Sequence, residues 1–225
     1  MNLIDKKFKS VYFIETAFLY LLSCTVIYYT LLLSARINLF DLSNRMSGLW
    51  RLNPTLTLPY LIAILSGMVI TPLIWEKAVR RIDLREIGFT IPCHLIREII
   101  YGAVFFFLFA AYGYVLLSKQ NGLSSLSFYI IISLSIRWLF VAFGEEVLYR
   151  GIVQRRLSVL CGKYWGLILA SVVFAFIGHP RAPLIDNLVL RLPFGLILGY
   201  LYLRSRSLLI PTALHWGFNV LFAAY

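Results

Sequence analysis

Seven apolar runs, separated by short polar connectors, organise this chain. They cover roughly residues 11–33, 55–75, 99–118, 127–147, 164–179, 185–203 and 208–225. A helix of about 20 apolar residues matches the thickness of a bilayer core, so the runs predict membrane spans. At roughly 30 residues per span plus loop, a chain of 225 residues holds six to eight helices. The expectation is an all-α, polytopic helical bundle of about seven spans, built as one integral membrane domain over 1–225.

The connectors refine that picture. Lys6, Lys7 and Lys9 precede the first run, which extends from Val11 to Leu33. It is too long for the apolar region of a signal peptide, and no A-x-A-like site follows it. Leu21-Leu22-Ser23-Cys24 resembles a lipoprotein cleavage box, but Glu15 interrupts the run, which reads as a retained first helix. Residues 35–54 form a polar linker in which Asn38, Asp41, Asn44, Arg45 and Gly48 mark turns. Glu76 to Ile99 mixes Lys77, Arg80, Arg81, Asp83, Arg85 and Glu86 with Ile82, Leu84, Ile87 and Phe89. Such a stretch lies at a lipid interface or serves as a solvated connector. The sequence contains no internal repeat and no low-complexity tract.

Composition excludes several classes. Hydrophobic residues make up 60% and charged residues only 14%, against about 25% charged in an ordinary globular domain. A soluble globule, a disordered chain and a disulfide-rich secreted module are ruled out. The net charge of +11 has no contiguous basic face to neutralise phosphates, so no nucleic acid is expected as a partner. The basic residues fall between apolar runs, where they orient spans and meet anionic lipid heads. Cys24, Cys93 and Cys161 show no C-x-x-C spacing and read as buried or neutral filler.

Charge inside an apolar run is costly, about 2.5–3.5 kcal/mol per ionised group at mid-membrane. The run Trp138 to Val147 nevertheless ends on Glu145 and Glu146, followed by Arg150. Glu146 and Arg150 stand at i,i+4, in the order that favours an ion pair within a helix. Glu145 points about 100° away and is free to face something else. His179 ends the next apolar run, and His215 and Asn219 share one face of the last helix. Gln120-Asn121, Arg137, Gln154, Asp186-Asn187 and Arg191 stay outside this set, with Arg137 and Arg191 as snorkelling or bundle-interior residues.

Two chemistries suit Glu145, His179, His215 and Asn219. In one, Glu145 is a general base that shares a water with His179, while His215 and Asn219 donate to an oxyanion, worth about 2.7–4 kcal/mol per donor. In the other, Glu145, His179 and His215 hold Zn²⁺ with one position open for water. A third reading needs no chemistry: the same side chains are interhelical glue in a non-catalytic membrane immunity or scaffold protein. A transporter is disfavoured because no inverted repeat is visible. Serine and aspartyl intramembrane proteases lack their motifs here.

Glu145-Glu146-x-x-x-Arg150, His179 and His215-x-x-x-Asn219, in that order, resemble the three motifs of the CPBP intramembrane proteases. That family includes the CaaX prenyl endopeptidases and the bacteriocin-processing and self-immunity (Abi) proteins. Glu145 to Gln154, Phe194 to Tyr202 and Leu209 to His215 are similar to it in wording, and the resemblance covers roughly 83–225 as a protease core. It implies an intramembrane endopeptidase, a peptide or protein substrate within the lipid bilayer, and Glu145 as activator of water with His179 as partner. It implies His215 and Asn219 as oxyanion stabilisers and Glu146 and Arg150 in supporting roles. No cofactor is favoured by the resemblance; zinc is the alternative. The family's second motif has Phe four residues before the histidine, where this chain has Ala175 between Phe174 and Phe176. A compact chain of this kind resembles a bacterial member acting on a leader or signalling peptide in the cell membrane, rather than on a prenylated tail.

If the fourth span ended at 147, Glu145 and His179 would lie at opposite edges of the membrane. The fourth helix is therefore expected over about 130–158, with its motif mid-helix and Arg150 inside. The loop charges, with Arg155 and Arg156 still counted among those inside, then divide 13 inside to 5 outside, which predicts a cytoplasmic N-terminus and seven spans.

Overall fold

The computed structural model describes residues 3–35, 57–117, 128–180 and 182–222. Most of the expected linker 35–54, and Gln120-Asn121, lie outside the described residues. Eight helices are described, with no strand among the described residues: α1 (Leu3–Ala35), α2 (57–78), α3 (Leu84–Ile87), α4 (Leu95–Leu117), α5 (128–161), α6 (Lys163–Ile177), α7 (Leu184–Ser205) and α8 (Leu209–Phe222). Apart from the short α3, they answer to the seven apolar runs one for one. Phe8–Leu33, Leu58–Ala78, Leu95–Tyr112 and Leu184–Ser205 are long and apolar enough to cross a membrane. Phe13, Ile14, Leu21, Ile74, Ile96, Phe107 and Leu108 are exposed on the outer faces of α1, α2 and α4. Apolar surface so extensive belongs against lipid; the protein is an integral membrane protein.

The central element is α5. Its first half packs on α2 and α8, its second half on α6 and α1, while α8 also lies against α4 and α7. Lipid offers no hydrophobic drive for helices to associate, so close packing and internal polar contacts hold such bundles together. Gly67 shows the first of these. A Cβ there would stand 2.3 Å from Ile27 Cγ1 and 2.6 Å from the Ser23 carbonyl oxygen, so the α1–α2 approach requires glycine.

Among the described residues four wide π turns interrupt the helices: Leu65–Ile70 in α2, Val147–Gln154 in α5, Val173–Ile177 in α6 and Asn187–Arg191 in α7. Each carries i→i+5 character and rotates the side chains beyond it by an extra residue, a feature common at functional sites. The backbone hydrogen bond from Gly178 N–H to the Val173 carbonyl is one example.

In segment 79–94 Arg81, Asp83, Arg85 and Glu86 are exposed while Ile87 turns inward. Only Leu84–Ile87 is helical, with the Asp83 side chain accepting from the Arg85 N–H at the N-terminus and Gly88 at φ 111° ending it. Ile87 is fully buried, the Tyr202 hydroxyl donates to its carbonyl at 2.9 Å, and the Leu208 N–H donates to Gly88. The segment is a plug tied to both ends of the α7–α8 turn. All three cysteines are free and exposed, which corrects the buried reading and leaves the neutral-filler one.

Lengths decide where the polar residues meet. Glu145 stands 16 residues before the end of α5 at Cys161, roughly 24 Å of helix. From the following turn, α6 climbs back through 10 α-helical and 5 π-helical residues, roughly 22 Å. His179, just beyond it, arrives at the level of Glu145.

Candidate active site

Glu145 and Glu146 are the last residues of the regular part of α5, Phe128–Glu146, and Arg150 sits in the π turn that follows. Glu146 and Arg150 are fully buried. Arg150 Nε lies 3.2 Å from Glu146 Oε2, one guanidinium nitrogen donates to the Gly195 carbonyl at 3.3 Å, and the group lies over the Phe174 ring at 4.7 Å. Ionic groups this deep persist only when paired. Both members of the pair are thereby fixed.

His215 stands between the two glutamates. Its Nδ1 is 2.7 Å from Glu146 Oε1, and since a carboxylate only accepts, Nδ1 carries the proton. Its Nε2 faces Glu145 Oε2 at 3.6 Å, too far for a hydrogen bond. The ring is clamped edge-on by Phe174 at 5.8 Å and Phe194 at 5.3 Å. Among the described residues, the Glu145 carboxylate accepts no hydrogen bond, and its side chain retains 14% exposure against 0% for Glu146. One glutamate is pinned and its neighbour is left open.

His179 follows the π turn of α6. Its Nδ1 donates to the Phe174 carbonyl at 2.9 Å, which leaves Nε2 with its lone pair. The ring meets Phe174 at 5.0 Å and lies within electrostatic reach of Glu145, His215 and Arg191. The π turn also accounts for the displaced phenylalanine. A widened turn lets the residue five places back take the position that four back holds in a regular helix. Phe174 thus packs on His179, with Ala175 buried behind it.

The structure brings together Glu145, Glu146, Arg150 and His215 directly, and His179 through Phe174. Asn219, half-buried one turn beyond His215 on α8, forms no hydrogen bond with any of them. Two residues left outside the set belong beside it. The Asn187 amide donates to the His179 carbonyl at 3.2 Å, and Arg191 donates to Asn187 Oδ1 at 3.3 Å. Both lie in the π turn of α7, and their signal in the sequence was polar character inside an apolar run. Arg137 is buried over the Trp138 ring, a bundle-interior residue.

Among the described residues no group of three His, Cys, Asp or Glu side chains converges closely enough to hold a metal ion. The Nδ1 of His215 is committed to Glu146 and that of His179 to a backbone carbonyl. Both rings keep Nε2, as a metal-ligating histidine also does, but Glu145, His179 and His215 do not converge as a ligand group in this arrangement.

Residues 125–221 match the family described as type II CAAX prenyl endopeptidase Rce1-like. All six motif residues, Glu145, Glu146, Arg150, His179, His215 and Asn219, fall within the matched stretch. No curated protein and no solved structure matches the chain. The matched stretch begins just before α5, so α1, α2, α3 and α4 lie outside it.

Proposed function

We propose that the protein is an intramembrane endopeptidase in which Glu145 and His179 activate a water without a metal. The observation that carries this reading is the contrast between the two adjacent glutamates. Glu146 is held by Arg150 and His215, whereas Glu145 has no hydrogen-bond partner among the described residues and lies near both histidines. A general base needs that freedom to reach a water.

In the proposed cycle Glu145 takes a proton from water while the water oxygen bonds to the peptide carbonyl carbon. The carbonyl oxygen becomes an oxyanion, which His215 Nε2–H and the Asn219 amide stabilise. Donation from Nε2 while Nδ1 is bonded to Glu146 requires the ring to carry both protons. The proton then passes from Glu145 to the leaving nitrogen, the C–N bond breaks, and a carboxylate and an amine are released.

We place the N-terminus in the cytoplasm, the host among bacteria, the protease core over about 83–225, and the substrate among leader or signalling peptides. A non-catalytic immunity or scaffold protein would use the same cluster as packing alone. The test is cleavage of a mixed peptide library by detergent-purified protein, read by mass spectrometry. Wild type should give products, and Glu145→Gln and His179→Ala should lose about 10²–10⁴-fold in rate while remaining folded. Full activity in either variant would falsify the assigned roles.

A further inference from the structure

Tyr149 is buried, and no role has been given to it. Its position suggests one. It lies four residues after Glu145 within the π turn of α5, and its hydroxyl is 3.2 Å from the hydroxyl of Tyr20 on α1. The Tyr149 ring packs edge-on against Phe174 at 5.2 Å and against Tyr20 at 6.1 Å. Glu145 lies within electrostatic reach of both hydroxyls.

Gly178, the residue before His179, shows where the Tyr149 hydroxyl points. A Cβ at Gly178 would stand 2.4 Å from the Tyr149 hydroxyl oxygen and 2.6 Å from the Phe174 carbonyl oxygen. The φ of Gly178 is −69°, open to any residue. This glycine therefore serves space and not conformation. The hydroxyl rests directly on the backbone that carries His179, beside the carbonyl that receives the His179 Nδ1 proton.

We propose that Tyr20 and Tyr149 form a positioning pair, in which α1 fixes the Tyr149 hydroxyl and that hydroxyl sets the turn presenting His179 to Glu145. The first helix, outside the Rce1-like stretch 125–221, thereby completes the site. A hydroxyl has one proton to donate. When Tyr20 donates to Tyr149, the Tyr149 proton remains for an acceptor at the His179 turn; when Tyr149 donates, Tyr20 holds it by accepting. Either way the phenol is held from α1, and the ring cannot swing without vacating its place between Phe174 and Tyr20. Positioning matters because a misplacement of about 1 Å in a catalytic group can lower a rate by about 10²-fold.

This inference rests on the reading of Glu145 and His179 as the water-activating pair, so its test has two independent readouts. In the first, Tyr149→Phe, Tyr20→Phe, Glu145→Gln and the control Tyr29→Phe are compared on the peptide library. Tyr29 lies exposed on the same helix, and its variant should cleave at the wild-type rate. Tyr149→Phe keeps the ring and should lower kcat by about 10-fold or more, with KM and the melting temperature unchanged; Tyr20→Phe should show a smaller loss. A wild-type kcat in Tyr149→Phe, with Glu145→Gln inactive, would overturn the positioning role and leave the protease reading intact. The second readout is independent of cleavage. The chain has three histidines, His94, His179 and His215, and ring-labelled histidine gives each a magnetic resonance signal. Tyr149→Phe should shift the His179 signal and leave that of His94 in place. An unmoved His179 signal would overturn the proposal whatever the enzyme does.

Discussion

Two clusters of buried charge lie along α5, and they are built differently. The lower one joins three helices. On α1 and α2, Glu15 accepts from Trp75 Nε1 at 2.6 Å and from Arg80, while Arg156 bridges Glu15 at 3.2 Å and Glu76 at 2.6 Å. Arg155 adds a contact of 2.7 Å to Glu76, and Tyr12 lies under Arg156 at 4.9 Å. Every carboxylate there meets two guanidinium groups. In the upper cluster Glu146 meets one guanidinium group and one histidine; Glu145 faces a histidine at 3.6 Å and no hydrogen-bond donor within reach among the described residues. Buried charge is costly in either cluster, so the carboxylate left unmatched is the one the proposed mechanism uses.

Substitutions can break this contrast. The largest loss of stability is expected where a matched pair is cut. Glu76→Ala leaves Arg155 without its carboxylate and Arg156 with Glu15 alone, and should destabilise by about 3–5 kcal/mol, read by thermal unfolding in detergent. Glu146→Ala should cost a similar amount by releasing Arg150, and should also abolish cleavage, because His215 loses the anchor at Nδ1. A Glu146→Ala protein that melts like wild type would show that the upper cluster is not held as described. Gly67→Ala should cost about 1–3 kcal/mol by overpacking the α1–α2 contact, measured in the same unfolding series. The smallest effect is expected at the plug: Asp83→Ala removes the cap of α3 and should cost about 1 kcal/mol, with cleavage retained.

The helices were legible because apolar run length reports directly on a bilayer. The extent of α5 was legible too, since Glu145 and His179 can meet only if the motif lies mid-helix. The lower cluster was not. Glu15 read as an interruption of a span and Arg155 and Arg156 as loop charges, because counting basic residues by side assigns each to a connector. Arg156 is in fact buried against a residue 141 positions away in sequence. The exchange of Ala175 for the expected phenylalanine was equally opaque. A π turn is set by how neighbouring helices pack, and only that turn moves Phe174 into place. Asn187 and Arg191 were missed for a related reason: polar residues on an apolar helix announce a partner without naming it.

The central claim is that Glu145 is held ready for chemistry and contributes nothing to packing. It is tested most directly by the melting temperature of Glu145→Gln, measured beside wild type in the same detergent. The account predicts a melting temperature equal to or above that of wild type, since a buried charge without a hydrogen-bond partner is replaced by a neutral amide of the same shape. A drop comparable to that of Glu76→Ala would contradict it and make the upper cluster, like the lower one, a fastening between helices.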